Sequence, residues 1–523
     1  MTLFGAPLLL CALVAAEEKP VPKVPIGKET TVATGPLDKE GYIIYETALN
    51  ERLGKGVTAD RNANVLLWKA LGPRPEGGKR GMPAEFFKQL GSAEPPEKGD
   101  YFIDLGRHLQ ENATVTKDEL QAVLDQQGWA SQRPWAARDY PHIAAWLTAN
   151  EKPLAVVIEA SKRPDYFNPL ASHSTGEGPG GLIASLLPGV QKCRSLASAL
   201  TARAMLRVQE GKLDEAWQDL LACHRLARLI RRGATLIESL VGIALEAVVC
   251  NTELAYLDKA KLTAAQVRDR LKDLQTLPPM VPLADKVDLG ERFMFLDCMQ
   301  MVRKGGIGAM EVLTGGPAAR KLTEKELKAL DLIDWDPAFR NGNVWYDRMV
   351  AAMRVKDRAE REKQLDKVEV ELKALKTTVI QPDNLLKLLM AMNPDKEVGK
   401  TVGKAIGDVM VTLLIPAVRK VGNAGDRIAQ VYQNQQVAFA MAAYRLENGR
   451  YPAKLDELAP KYLPAVPGDL FSGKALIYRP EGRGYLFYSF GVNGKDDGGR
   501  WSDDEPPGDD LRVRMPLPEL KKK

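Results

Sequence analysis

Apolar positions recur at helical spacing along most of the chain, in stretches separated by Gly and Pro. Tyr42–Leu53, Ala63–Leu71, Pro83–Leu90 and Tyr101–Leu109 carry apolar residues three and four apart, which predicts four short helices. Thr116-Lys117-Asp118-Glu119 is a capping box opening a helix through Leu124. Two further helices are predicted at Tyr140–Thr148 and Pro153–Ser161, before a Gly- and Ser-rich loop from Asn168 to Gly181. The strongest helical block runs from Leu187 to Leu257 and predicts three helices, at 188–209, 213–231 and 235–257, turning at Gly211 and Gly233.

The third of these is apolar on nearly all sides from Thr235 to Val249, apart from Glu238, Ser239 and Glu246. That pattern predicts a central, buried helix. Two carboxylates in a short run exclude a membrane span. The acids are expected to meet Arg225, Arg228, Arg231 and Arg232 at the end of the preceding helix. Such pairs are read as structural, with an acid site as the functional alternative.

Beyond Cys298 the chain loosens at Gly305-Gly306 and Gly315-Gly316-Pro317, and a capping box at Thr323 restarts a helix. Met349–Lys376 predicts one long, charged amphipathic helix with Leu365, Val368, Leu372 and Leu375 on its apolar stripe. A clean amphipathic helix follows from Asp426 to Leu446, closed by Asn448-Gly449. A short helix at Leu455–Leu458 precedes three alternating segments, Ala475–Arg479, Tyr485–Ser489 and Leu511–Met515, which predict antiparallel strands. The fold class is therefore mainly α, a multi-helix bundle, with a small C-terminal α+β unit of one helix and three strands.

Composition bounds the function classes. The chain has 523 residues, 45% apolar and 27% charged, with a net charge of +5. That balance excludes disorder driven by charge excess and supplies no electrostatic case for nucleic acid. Four His and five Cys are too scattered for a zinc-rich scaffold. Leu3–Val14 is almost wholly apolar and ends in Val14-Ala15-Ala16 before Glu17-Glu18, the arrangement of an export signal cleaved near Ala16. A lipid anchor on Cys11 and a buried N-terminal segment are the alternatives. The chain is accordingly divided into a signal peptide (1–16), a flexible leader (17–38), a helical bundle (39–302), a loop-rich and long amphipathic region (303–400), the α+β domain (401–518) and a basic tail (519–523).

Cleavage leaves Cys193, Cys223, Cys250 and Cys298. The first three stand at about 25, 16 and 6 Å along the axis of the predicted three-helix block, at ~1.5 Å per residue. A bridge needs Cα atoms within ~7 Å, so small buried thiols are expected among these three, and Cys298 is unconstrained.

Enzymatic signatures fail on inspection. Pro394-Asp395-Lys396-Glu397-Val398-Gly399-Lys400-Thr401 has Pro where a P-loop needs its first Gly, and helical rather than strand-like residues before it. No G-x-S-x-G or H-E-x-x-H occurs. His224 has no Glu three residues before it, so the di-metal carboxylate-bundle pattern is absent. His173 reads as a solvated loop histidine. Glu210-Gly211-Lys212-Leu213-Asp214-Glu215-Ala216-Trp217 resembles the turn of a tetratricopeptide-type helical hairpin, but it occurs once, within a hairpin spanning about 200–230. A solenoid needs several stacked copies.

Three C-terminal motifs occur in order: Tyr444-Arg445-Leu446-Glu447-Asn448-Gly449-Arg450-Tyr451-Pro452, then Asp469-Leu470-Phe471-Ser472-Gly473-Lys474, then Tyr488-Ser489-Phe490-Gly491-Val492-Asn493-Gly494. Together they resemble the soluble domain of type II secretion major pseudopilins, over about 90 residues. The resemblance implies a pilin-like α+β domain and a calcium loop after the Tyr-Ser strand. It places the family's loop aspartate on Asn493 and the closing one on Asp510, with Asp496 and Asp497 as further oxygen ligands suited to calcium. Pseudopilins begin with a continuous apolar spine; here the nearest equivalent, Ala405–Val418, holds Asp408 and Pro416 and lies deep in the chain. The domain therefore reads as borrowed rather than as a filament subunit. The reading as a whole is a non-enzymatic extracytoplasmic structural or interaction protein with protein partners in the envelope and no catalytic residues. Its alternatives are a component of a secretion or pilus-like assembly, and an envelope enzyme with its site in the bundle.

Overall fold

The computed structural model describes residues 20–77, 81–112, 116–172, 181–185, 187–305, 323–378 and 396–520. The export segment, His173 and the first residues of the rejected P-loop stretch lie outside them.

The described chain is mainly helical, with one three-stranded antiparallel sheet near the C-terminus. Seven helices come first: α1 Tyr45–Gly54, α2 Ala63–Leu71, α3 Ala84–Leu90, α4 Leu105–Asn112, α5 Lys117–Ala130, α6 Pro141–Ala149 and α7 Glu151–Ser161. The three-helix block follows as α8 Lys192–Gln209, α9 Leu213–Ile230 and α10 Leu236–Lys259. Then come α11 Ala264–Gln275, α12 Leu283–Lys286, a π turn at Val287–Glu291, α13 Arg292–Gly305 and α14 Glu324–Asp331. The last helices are α15 Asp336–Met353, α16 Arg358–Thr378, α17 Lys396–Leu414 and α18 Pro416–Asn448, before β1 Ile477–Glu481, β2 Gly484–Ser489 and β3 Leu511–Met515.

Local chemistry accounts for the boundaries. Thr116–Glu119, Thr235–Glu238 and Thr263–Gln266 form reciprocal capping boxes that satisfy the first amides of α5, α10 and α11. Gly449 takes the left-handed conformation (φ 71°) and its N–H returns to the Arg445 carbonyl, ending α18.

Three expectations change. The single helix predicted over 349–376 is broken between α15 and α16, because the Asp357 carboxylate accepts the Glu360 N–H at 2.8 Å and caps a new helix. The apolar stripe survives, with Leu365, Val368 and Leu372 buried. The C-terminal helix starts at Pro416, ten residues before the predicted start, since Pro at the first helical turn loses no hydrogen bond. The first strand is displaced to Ile477–Glu481 because a two-residue turn at Gly482-Arg483 (Gly482 φ 56°) pairs Glu481 with Gly484.

Two large cores organise the molecule. One gathers Trp146, Trp217, Leu220 and Leu245 with Phe439 of α18 and Tyr485, Phe487 and Val513 of the sheet. The other gathers Tyr45, Phe295, Phe339, Tyr346, Ile406 and Met410. The first core thus joins the bundle and the C-terminal unit. Strand β2 lies between β1 and β3 and is buried along its whole length. Residues 20–38 are packed rather than free: Val24 and Thr31 are buried, and the Tyr45 hydroxyl donates to the Thr31 carbonyl at 2.9 Å. Helix α10 is central but not enclosed, since Ile237 and Val248 are exposed on its outer face.

Candidate functional site

Where α9, α10 and α18 meet, a polar cluster interrupts the first core. His224 stands on α9; Glu246, Cys250 and Glu253, spaced i, i+4 and i+7, share one face of α10; Tyr432 and Gln435 stand on α18. Close approach of α9 and α10 builds the site: a Cβ on Gly242 would lie 2.7 Å from the Ala227 carbonyl oxygen. His224 Nδ1 is 3.0 Å from Glu246 Oε1, and Nε2 is 2.9 Å from Glu253 Oε1. Arg228 donates to the same Glu246 oxygen at 2.9 Å, and its guanidinium sits 4.4 Å from the centre of the Tyr432 ring. His224, Glu246, Glu253 and Cys250 are at most 1% exposed.

Burial alone would depress the His224 imidazole, but Glu253 and Glu246 outweigh it and push the group up to about 9. Glu246 resists its own burial and falls below the usual carboxylate range, held there by His224, Arg228 and Arg231. Glu253 has no arginine partner, so burial wins and raises it. Burial also drives the Cys250 thiol well up, with both carboxylates adding to the effect. Glu246 Oε2 remains without a hydrogen-bond partner, while the Gln435 side-chain amide faces Glu253. One ligand atom each from His224, Glu246 and Cys250 lie within 4.8 Å of one another.

The acid–arginine expectation holds for Glu246 and changes for Glu238. The Glu238 carboxylate turns back to cap Thr235 and accepts the Asn168 side-chain amide at 3.0 Å, with the Lys286 charge favouring its ionised form. Arg231 donates to the Val281 carbonyl and borders a cleft of about 490 Å³ with Met280, Leu283, Arg354 and Asp426. Neither Glu238 nor Glu246 lines that cleft. Cys193, Cys223, Cys250 and Cys298 are all free and buried.

The acidic loop folds back over the outer face of β2, with Gly499 against Leu486 and Tyr488. Its members do not share one point. Asn493 donates to Asp497 Oδ2 at 3.0 Å, and Asp497 also accepts the Asp509 N–H at 2.8 Å. Asp496 is taken by the Tyr488 hydroxyl and the Gly498 N–H. Asp510 is fully buried: its Oδ2 accepts the Gly499 N–H at 2.7 Å, and its Oδ1 has no partner. Asp509 pairs with Arg427 and Asp504 with Arg512, so two arginines from outside the loop offset part of its charge.

Sequence reading dismissed His224 because it sought a partner on the same helix. The signal was present on the next one, in the i, i+4, i+7 spacing of Glu246, Cys250 and Glu253. Comparison of the chain with protein-family models, curated proteins and solved structures finds no match.

Proposed function

We propose that this protein is a non-enzymatic, extracytoplasmic structural or interaction protein in which a pseudopilin-like unit serves as an internal packing element. One observation carries the reading. The α18 side chains Val437, Phe439 and Met441 are fully buried, and Phe439 meets Trp217 of α9 edge-on with ring centres 5.6 Å apart. A helix whose apolar face is committed to its own bundle has no such face to offer a filament.

Affinity purification of the mature chain from its native envelope, with mass spectrometry of co-purifying proteins and size-exclusion chromatography, tests the proposal. Partners other than secretion machinery, on a particle without repeating subunits, support it. Co-purification in a filament or with secretion machinery favours the assembly reading, and turnover by the purified chain favours the enzyme. The resemblance also leads us to propose calcium in the acidic loop, supported by the buried, half-satisfied carboxylate of Asp510.

A further inference from the structure

We propose that His224, Glu246 and Cys250 form a structural site for one borderline-soft divalent cation of the zinc class, pinning α9 to α10, with Glu253 orienting the histidine.

The donor set suits such an ion. One imidazole nitrogen, one carboxylate oxygen and one sulfur are the ligand types zinc takes, at ~2.0–2.3 Å. In a tetrahedron those lengths put ligand atoms roughly 3.3–3.8 Å apart. Here the three lie within 4.8 Å of one another, with His224 Nδ1 and Glu246 Oε1 3.0 Å apart, so side-chain adjustment brings three donors onto one ion and leaves the fourth tetrahedral position to a water. The i, i+4 spacing of Glu246 and Cys250 presents both from one face of α10.

Orphaned atoms point to the same place. Glu246 spends Oε1 on His224 and Arg228, while its buried Oε2 has no partner. Cys193 and Cys223 place their sulfurs against the Gly189 and Ala197 carbonyls, whereas Cys250, like Cys298, has no hydrogen-bond acceptor among the described residues, and of these two only Cys250 stands beside a histidine and a carboxylate. On the far side of the ring, Glu253 accepts from Nε2 at 2.9 Å. With an ion on Nδ1, Glu253 would accept the remaining proton on Nε2, the carboxylate–histidine arrangement found behind metal-bound imidazoles.

Charge balance removes the objection that Arg228 and Arg231 stand nearby. Without metal both ring nitrogens face carboxylates, so both carry protons, and the thiol carries its own. A divalent ion displaces one proton from the imidazole and one from the thiol. Two positive charges enter and two leave, so the buried net charge is unchanged. The sealed position means the ion is taken up as the helices assemble.

The test uses the full chain produced in medium supplemented with zinc or, separately, cobalt, with metal content measured by mass spectrometry. One equivalent of either metal is expected, the cobalt form showing a thiolate-to-metal charge-transfer band in the near ultraviolet. Cys250→Ser should remove that band, Glu246→Gln should lower metal content at least tenfold, and Val248→Ala, on the exposed face of α10, should leave both unchanged. Refolding in weak buffer with cobalt should release about two more protons per ion bound than refolding without it. Because Glu246→Gln can fail to fold, Cys250→Ser, a near-isosteric change, decides the matter by the band. A chain purified without stoichiometric metal overturns the proposal, as does a cobalt form that lacks the band or keeps it in Cys250→Ser.

Discussion

His224 and Glu246, 22 residues apart in the chain, meet 3.0 Å apart on facing helices, and neither is more than 1% exposed. This contact, with Glu253 on the other side of the ring, ties two helices of the bundle together at their most polar point. Around it the interior is close-packed, which makes the surrounding side chains sensitive to small changes in volume.

Helix α10 separates buried from exposed positions sharply. Leu245 is 1% exposed and Val248 is 36% exposed. Leu245→Ala is expected to cost about 2–5 kcal/mol through lost contacts and a residual cavity. Val248→Ala should stay within about 0.5 kcal/mol. Leu240, half-buried beside the second core, should tolerate Asp better than Leu245 does. Urea titrations of the variants measure these differences, and equal losses at 245 and 248 would show that this face is not the packed one.

Asp219 of α9 accepts two bonds from Arg203 of α8, at 2.6 and 3.0 Å, and a third from Arg207 at 2.7 Å. Asp219→Ala leaves Arg203 buried beside a hole and should lower stability by about 3–5 kcal/mol. Replacing both partners, Arg203→Met with Asp219→Leu, should recover most of that loss, because the desolvation cost of both charges is removed as well. A double variant no more stable than Asp219→Ala would mean that the pair itself supplies the stability.

Asp297 introduces a pH dependence. Burial pushes its carboxyl up to about 6, against the Leu182 N–H it accepts at 2.7 Å and the neighbouring Gln300 and Lys304; Glu46 adds to the upward push, and Tyr45 and Cys298 face it as well. The folded chain holds this proton to about pH 6, while the unfolded chain releases it near 3.8. Its contribution is therefore fully present below about pH 4 and declines as pH rises to 6. Asp297→Asn should remove that decline, worth roughly 3 kcal/mol at most across the window. Chemical denaturation of both proteins at pH 4 and 6.5 measures it, and parallel curves would exclude Asp297 as the source.

Calcium should act on Asp510. Binding to the folded state alone adds roughly 2.7 kcal/mol when calcium stands a hundredfold above Kd. The full chain is expected to show a higher-melting transition in millimolar calcium than in chelator, with the difference lost in Asp510→Ala. Equal transitions and no heat of binding would leave the loop held by its own hydrogen bonds to Asp496, Asp497 and Asp509.

The helices were legible in the sequence because their signals are local. The capping box at Thr116, Gly at 449 and apolar residues three and four apart act within a turn or two of the chain, and a reader needs no partner to see them. The same locality explains the free thiols, since helix rise alone keeps Cys193, Cys223 and Cys250 at different heights. The break at Asp357 was missed although its cause is local: a single capping carboxylate outweighed an apolar stripe that continues through it.

Partnership across the chain was decided by tertiary structure. Glu238 has four arginines close by in sequence and pairs with none of them, because its own N-cap satisfies it first and Asn168, 70 residues away, completes the shell. The joining of α18 to α10 depends on which face of each helix is left after nearer neighbours have packed, a non-local competition that periodicity does not rank. Nor could a same-helix motif reveal His224, Glu246, Cys250 and Glu253, since their meeting requires α9 and α10 to approach at Gly242. The sequence determined which segments are helices and which residues carry chemistry; only the packing of those helices in a dense interior decided which of them touch.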